Sequence, residues 1–372
     1  MIRPTPTTGA VKSPKDYRDI PLAAFGAATP LTGKFFVDVT KLPVWNQKKI
    51  GSCVGHAGAK YKQLLDWMET GEMKKLSPRF LYAIAKARDD YPFEGTFPRL
   101  VAKILKDHGC ATEATVPNDS DLSHEAYVYN RVESDIPEDS WAEAKEFCIQ
   151  GYAFPNVKSA AELGNAIQNY NGAMLLMRVG KEWWTKADGT SSWSAKDVVP
   201  LRPPKEIVSG HEVYLYGYEV ETSGRVKFYI FNSWSLDWGM TGKAWFYHDE
   251  YAPFLDEAIT FVDLPNNWQE TIDQLPSKES FEHQFLVPIH YGTQNEEVKA
   301  LQTALLIDGH FSRELYGTLL KAGSLGFYGS ITAQAVLSFQ RKHKVASETE
   351  LTLLGGKSVG PKTRNQLNLM FG

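Results

Sequence analysis

Four residues in this chain have the types and the order for one kind of chemistry. Gln47 and Cys53 stand six positions apart (53 − 47) in "PVWNQKKIGSCVG". The chain has only three cysteines, Cys53, Cys110 and Cys148, and an odd, small number gives no disulfide framework. The run that starts at Cys53, "CVGHAGAKYKQLLDWMETG", repeats Ala57, Tyr61, Leu64, Leu65 and Met68 with helical period and ends at a capping Gly71. A helix that begins at Cys53 puts the sulfur beside unpaired backbone N–H groups at the positive end of the helix dipole. Such positions lower a thiol pKa from about 8.5 to between roughly 3.5 and 7.5. A thiolate nucleophile still needs a proton shuttle for its leaving group.

Two later segments supply the shuttle. His211 opens the strand-like run "HEVYLYGYEV", and Asn232 closes "RVKFYIFNSW". The turn "ETSG" joins them as a hairpin. Paired residue numbers in a hairpin sum to a constant. A turn centred on 221–224 gives 445 (221 + 224), against 443 for 211 + 232. The hairpin therefore predicts His211 beside Asn232 at its open end, where an asparagine carbonyl can hold the imidazole N–H.

The elements around these residues change character along the chain. Residues 1–34 are rich in Pro, Thr, Gly and Ala and read as an N-terminal arm. Helices are expected at 53–71, 77–90 (Ser77 as N-cap, Pro78 at the first helical position) and 97–109. After about residue 170, β-branched and aromatic runs alternate with Gly, Ser and Asp turns. A helical part followed by a β part indicates an α+β fold. A polar, proline-containing stretch at 266–285 reads as a linker. Residues 286–372 read as a small all-α three-helix domain, with Gly329-x-x-Thr332-x-x-x-Val336 repeated as Gly360-x-x-Thr363-x-x-x-Leu367 at an offset of 31 (360 − 329).

"PVWNQKKIGSC", "SGHEVYLYGY" and "FNSWSLDWG" resemble the three active-site blocks of the papain family of cysteine peptidases, in that family's order of Gln, Cys, His and Asn. The resemblance covers residues 35–265, and "GSC" is closest to the bacterial branch. It implies a papain-like peptidase domain, a helical subdomain and an antiparallel β subdomain facing across a cleft, with Cys53 as nucleophile and His211 as its ion-pair partner and general acid/base. It further implies that Asn232 orients the ring, that Gln47 donates to the oxyanion with the Cys53 N–H, and that Trp234 shields the Asn232–His211 bond. Gly95 in "FEGTF" would hydrogen-bond the substrate backbone as an added strand. The sequence departs from the family signature C-G-[SA]-C-[WY] in carrying Ile50 and Val54 at its first and last positions. The Cys-to-His gap is 158 (211 − 53), longer than the roughly 130–150 usual for that signature. The excess is assigned to an insertion at 181–206. The family's long inhibitory pro-segment has no counterpart ahead of residue 35. Cys110, Cys148 and His56 read as structural, and the Glu94 carboxylate as a solvated loop group.

The C-terminal segment resembles the peptidoglycan-binding type 1 domain. The resemblance rests on Val298, Leu301, Gln302, Leu305, Gly329, Thr332, Ala335, Val336, Phe339, Gln340, Gly360, Thr363 and Leu367. It implies a peptidoglycan partner, with a generic docking module as the other option. A net charge of −4 argues against a nucleic-acid partner. No apolar run approaches the ~20 residues of a membrane span, and the N-terminus lacks a secretory signal. No residues have metal-ligand spacing, so no metal or cofactor is expected. The expectation is a monomeric cysteine endopeptidase of bacterial or bacteriophage origin, acting on protein or peptide through a thioester acyl-enzyme. It would be made in the cytoplasm and act at the cell wall or be carried in a virion. The alternatives are a lysin-like hydrolase of peptidoglycan peptides and a non-enzymatic virion or envelope protein that retains the fold.

Overall fold

A computed structural model describes residues 8–16, 19–24, 28–129, 131–184, 199–262, 281–311, 316, 319 and 325–372. The chain divides into two compact units, Met1–Ile20 with Ala28–Asp263, and Pro21–Ala27 with Leu264–Gly372.

The first unit is α+β. Helix α1, Cys53–Thr70, begins at the cysteine and ends on Gly71 in the left-handed conformation. Its residues from Cys53 to Asp66 are all buried, so it is a central helix covered on every side. Helix α2, Pro78–Lys86, starts where the Ser77 hydroxyl accepts the Phe80 N–H, with proline at the first position. Helix α3 spans Pro98–Asp107. Both are a few residues shorter than the sequence pattern indicates.

The β part is a seven-stranded sheet with all pairings antiparallel. Its strands are β1 (Lys34–Phe36), β2 (Gly151–Ala153), β3 (Ala173–Val179), β4 (Ser209–Val220), β5 (Val226–Phe231), β6 (Lys243–Tyr247) and β7 (Leu255–Val262). The order is β2-β7-β3-β4-β5-β6, with β1 also on β4. Strands β1, β2 and β7 were not among the runs expected from sequence. Strand β7 carries "LDEAITFV", whose two acidic residues break the apolar pattern.

The β4–β5 hairpin carries a bulge that decides the site. Near the turn, pairs such as Tyr218↔Phe228 sum to 446, and beyond the irregularity between Leu215 and Gly217 the pairs Leu215↔Ile230 and Tyr214↔Phe231 sum to 445. Continued one step, the second register sets Asn232 opposite Val213, two residues from His211 and on the same face. Without the bulge Asn232 would oppose Tyr214 and lie on the other face from His211, because one residue of slip turns every side chain over. The sequence estimate placed His211 and Asn232 directly side by side; they are diagonal neighbours.

The second unit holds the three expected helices, Glu296–Ile307, Ser330–Lys342 and Pro361–Phe371, plus a short helix Glu348–Leu354 and the strand pair β8 (Ile289–His290) and β9 (Ser358–Val359). The internal repeat has a physical basis. Gln302 Nε2 donates to Thr332 Oγ1 at 2.9 Å and Gln340 Nε2 to Thr363 Oγ1 at 2.9 Å. Each buried glutamine thereby ties one helix to the start of the next. Most of the expected linker lies outside the described residues. Its last part is not a linker: His283 N–H donates to the Phe371 carbonyl at 2.6 Å, and Phe285 N–H to Asn368 Oδ1 at 2.7 Å. Among the described residues, no helix is long and apolar enough to cross a membrane.

Candidate active site

The loop before α1 and the segment after β5 are stitched together by backbone. Gln47 N–H donates to Ser233 O at 2.9 Å and Ser235 N–H to Trp45 O at 3.0 Å, with Asn46 bridged to Trp234. That pairing brings together residues 186 positions apart (233 − 47). Gln47, Cys53, His211, Asn232 and Trp234 are all buried.

The histidine is fixed through one nitrogen. His211 Nε2 lies 2.7 Å from Asn232 Oδ1. An amide oxygen only accepts, so Nε2 carries the hydrogen and the neutral ring keeps its lone pair on Nδ1. Nδ1 has no hydrogen-bond partner among the described residues. Asn232 Oδ1 also accepts from Ser233 N–H at 2.7 Å, which sets the amide's orientation. The indole of Trp234 packs on the imidazole with ring centroids 4.4 Å apart, and Trp183 meets its edge at 5.8 Å. Trp183 is held in turn by its Nε1–H on Tyr251 Oη at 2.7 Å. Trp183 lies in a segment the sequence pattern marks only as an insertion.

The cysteine and its histidine are uncharged in this conformation. Burial pushes the Cys53 thiol up to about 12, opposed by backbone hydrogen bonds from Glu212, Gly9 and Val54. Burial pulls His211 down to about 4, opposed by its bond to Asn232. The expected lowered thiol pKa is therefore not realised here, because desolvation outweighs the helix N-terminus. The cover is visible: the N-terminal arm runs over the sulfur. Thr96 N–H donates to Gly9 O at 2.8 Å, Val11 N–H to Thr96 O at 3.1 Å, and Ala10 N–H to Gly210 O at 3.2 Å. A side chain at Gly9 would put its Cβ 2.0 Å from Gly51 O.

Gln47 Nε2 donates to Ile50 O at 2.9 Å, and Gln47 Oε1 accepts from Ser233 Oγ at 2.6 Å, so its amide is locked in the loop that leads to Cys53. Gly95 does not make the strand ladder: its N–H donates to Tyr82 Oη at 2.9 Å. Thr96 makes the ladder instead, and Gly95 is needed because a Cβ there would meet Gly9 O at 2.3 Å. Glu94 is not a free solvated group; its Oε2 accepts the Gly51 N–H at 3.0 Å. His56 is structural, with Nδ1 2.9 Å from Ser52 O and Nε2 3.2 Å from Asn118 Nδ2. Cys110 is buried and Cys148 half-buried. Sequence reasoning missed Thr96, Trp183 and the cleft-covering role of residues 9–11. Only the glycine in "TTGAVKS" marks a possible close approach.

Among the described residues, one group in the second unit has the side-chain types of a metal site. Asp308, His310 and His343 present ligand atoms within 4.8 Å of one another. They already satisfy each other: Asp308 Oδ2 lies 2.9 Å from His310 Nε2 and 2.6 Å from His343 Nε2, and Lys342 Nζ lies 2.8 Å from Asp308 Oδ1. An ammonium on the same carboxylate opposes a second cation there.

No protein-family model and no curated protein matches this chain. Among solved structures, xylellain, a cysteine protease from Xylella fastidiosa, superposes with a TM-score of 0.57 at 18% identity, over 71% of this chain and 98% of that one. Digestive procathepsin L 3 of Tenebrio molitor gives a TM-score of 0.49 at 15% identity, over 65% and 73%. Bromelain from Ananas comosus gives 0.46 at 15%, over 62% and 99%. The first of these likenesses establishes a papain-like fold.

Proposed function

We propose that this chain is a cysteine endopeptidase with Cys53 as nucleophile. One observation carries the reading: His211 is held by Nε2 on Asn232 and has a bare Nδ1, in a papain-like fold where the backbone N–H next to His211 points at the Cys53 sulfur. With the arm displaced, His211 Nδ1 takes the thiol proton and the thiolate attacks the peptide carbonyl. The oxyanion is received by the Cys53 N–H and the Gln47 amide. His211 returns its proton to the leaving amine, and a thioester links the acyl group to the sulfur. Water, deprotonated by His211, then releases the acid. The test is hydrolysis of casein by the full-length protein and by Cys53→Ala. Loss of hydrolysis in a folded Cys53→Ala supports the reading; retained hydrolysis removes Cys53 as nucleophile.

The second unit is proposed as a cell-wall anchor. Its support is the repeated Gln–Thr tie between paired helices and the resemblance to peptidoglycan-binding domains. Digesting purified sacculi beside casein separates an endopeptidase held on the wall from a hydrolase of the wall peptides themselves.

A further inference from the structure

Three neighbouring strands place two carboxylates in one row under the arm. Leu176 of β3 is paired with Glu212 of β4 on one side and with Glu257 of β7 on the other. Directly paired residues share a face, so Glu212, Leu176 and Glu257 line one strip. Gly210, two residues before Glu212, belongs to the same face. The arm lies on this strip. A Cβ on Gly210 would meet Ala10 O at 2.3 Å and Leu176 Cδ1 at 3.1 Å. Ser13 Oγ donates to Glu257 Oε1 at 2.7 Å. The strip adjoins the nucleophile, since the Glu212 backbone N–H points at the Cys53 sulfur.

Glu212 is the anomaly. It is 1% exposed, and neither carboxylate oxygen has a hydrogen-bond partner among the described residues. Burial, and then the charge of Glu257, push its carboxyl well above the usual range. A buried carboxyl group without a partner is costly, and native interiors rarely leave one so. The arm gives Glu257 a serine hydroxyl and gives Glu212 nothing, while its own Lys12 is exposed. Two carboxyl groups on one strip, flanking Leu176 and one of them without a partner, match a group with several N–H donors and a positive charge.

We propose that Glu212 and Glu257 form an acidic subsite that selects substrates by a lysine or arginine side chain close to the scissile bond. The inference rests on the peptidase reading above. An extended peptide replacing the arm lays its backbone along Thr96 and Gly210 as Ala10 and Val11 do, and sends a side chain onto the strip. The cationic head then satisfies Glu212 and replaces Ser13 on Glu257. The arm, with small residues at Ala10 and Ser13, covers the strip without filling its charge requirement.

The test uses full-length protein and pairs of peptidyl epoxides that differ only in lysine against norleucine, at each of the three positions nearest the warhead. The readout is the rate of covalent labelling of Cys53. At one position the lysine probe is expected to react roughly ten- to a hundredfold faster, the ratio given by one charge-assisted hydrogen bond. Glu212→Gln should bring that ratio close to unity, and Glu257→Gln should lower it. Equal rates at every position, no labelling by either probe, or a ratio unchanged in both variants overturns the subsite. Iodoacetamide alkylation of Cys53 that depends on His211 is run in parallel. If that alkylation is present while the probe rates are equal, only the subsite falls. If it is absent, the peptidase reading falls with it.

Discussion

Thr96 and Gly9 are joined by a backbone hydrogen bond of 2.8 Å, with the Thr96 N–H donating to the Gly9 carbonyl. The bond holds the N-terminal arm beside Thr96, where the proposed mechanism would receive a substrate backbone. Gly9 can sit there only because it has no side chain, since a Cβ would come within 2.0 Å of Gly51 O. Gly9→Ala should therefore lift the arm. Alkylation of Cys53 by iodoacetamide, read by mass spectrometry, should accelerate roughly five- to a hundredfold, the ratio that about 1–3 kcal/mol of overpacking produces. An unchanged rate would mean that the arm does not limit access to the sulfur.

The buried, neutral histidines give the fold a pH window. His211 is pulled to about 4 and His56 to about 3, both by burial, from an ordinary value of 6.5. Above pH 6.5 both are neutral folded and unfolded, and their full contribution is present. As pH falls below 6.5 the unfolded chain binds protons that the folded chain refuses, and stability is lost down to about pH 4 for His211. The loss from His211 alone is on the order of 3 kcal/mol. Cys53, pushed up to about 12 from 9.0, has the opposite sense: its contribution is complete below pH 9 and is lost as pH rises through about 12. The thermal midpoint should fall steadily from pH 6.5 to pH 4. His211→Asn should make that fall shallower, and a slope identical to that of the wild-type protein would contradict the account.

The cysteine at a helix start, the helix caps and the Gln-Cys-His-Asn order were legible in the sequence because each is a local pattern. Ser77, Pro78 and Gly71 do in the structure what their residue types indicate. The diagonal placement of His211 and Asn232 was legible only approximately, because the bulge at Tyr216 is marked only by the neighbouring Gly217, a lone glycine inside a strand run. The shift of the ladder from Gly95 to Thr96 was hidden for a related reason. It depends on Tyr82, thirteen positions away (95 − 82), capturing the Gly95 N–H. Glu212 lies in a run legible as a strand, while Glu257 lies in β7, whose acidic residues hide the strand pattern. Only the three-strand order β7-β3-β4 makes them neighbours.

Gln47 carries two duties that a substitution should separate. Gln47→Ala removes the proposed oxyanion donor, which should lower kcat by about 10²–10³ with little change in KM. It also strips the partner from Ser233 Oγ and one of two donors from Ile50 O, which keeps the Ser52 N–H, at about 1–3 kcal/mol for the buried hydroxyl left unpaired. Steady-state kinetics and thermal unfolding should both report a loss. Lost stability with unaltered kcat would make Gln47 a purely structural residue.

Removing residues 281–372 should leave chemistry and abolish anchoring. Because residues 281–285 pack on the last helix, the cut belongs before Phe281. A chain ending there should hydrolyse a small soluble peptide at the full-length rate and fail to sediment with purified sacculi. Tethering raises local enzyme concentration to the millimolar range without altering the site. Sedimentation by the shortened chain, or none by the full-length protein, would turn the second unit into a docking piece for some other partner.

The central claim is that Cys53 is a nucleophile activated by His211. Its most direct measurement is labelling with an epoxide thiol probe, located by peptide mass spectrometry in the wild-type chain, in His211→Ala and in the arm-lifted Gly9→Ala. The account predicts adduct on Cys53 and not on Cys110 or Cys148, faster in Gly9→Ala and reduced by about 10²–10⁴ in His211→Ala. Adduct on Cys110 or Cys148 in place of Cys53, or labelling of Cys53 indifferent to His211, would contradict it.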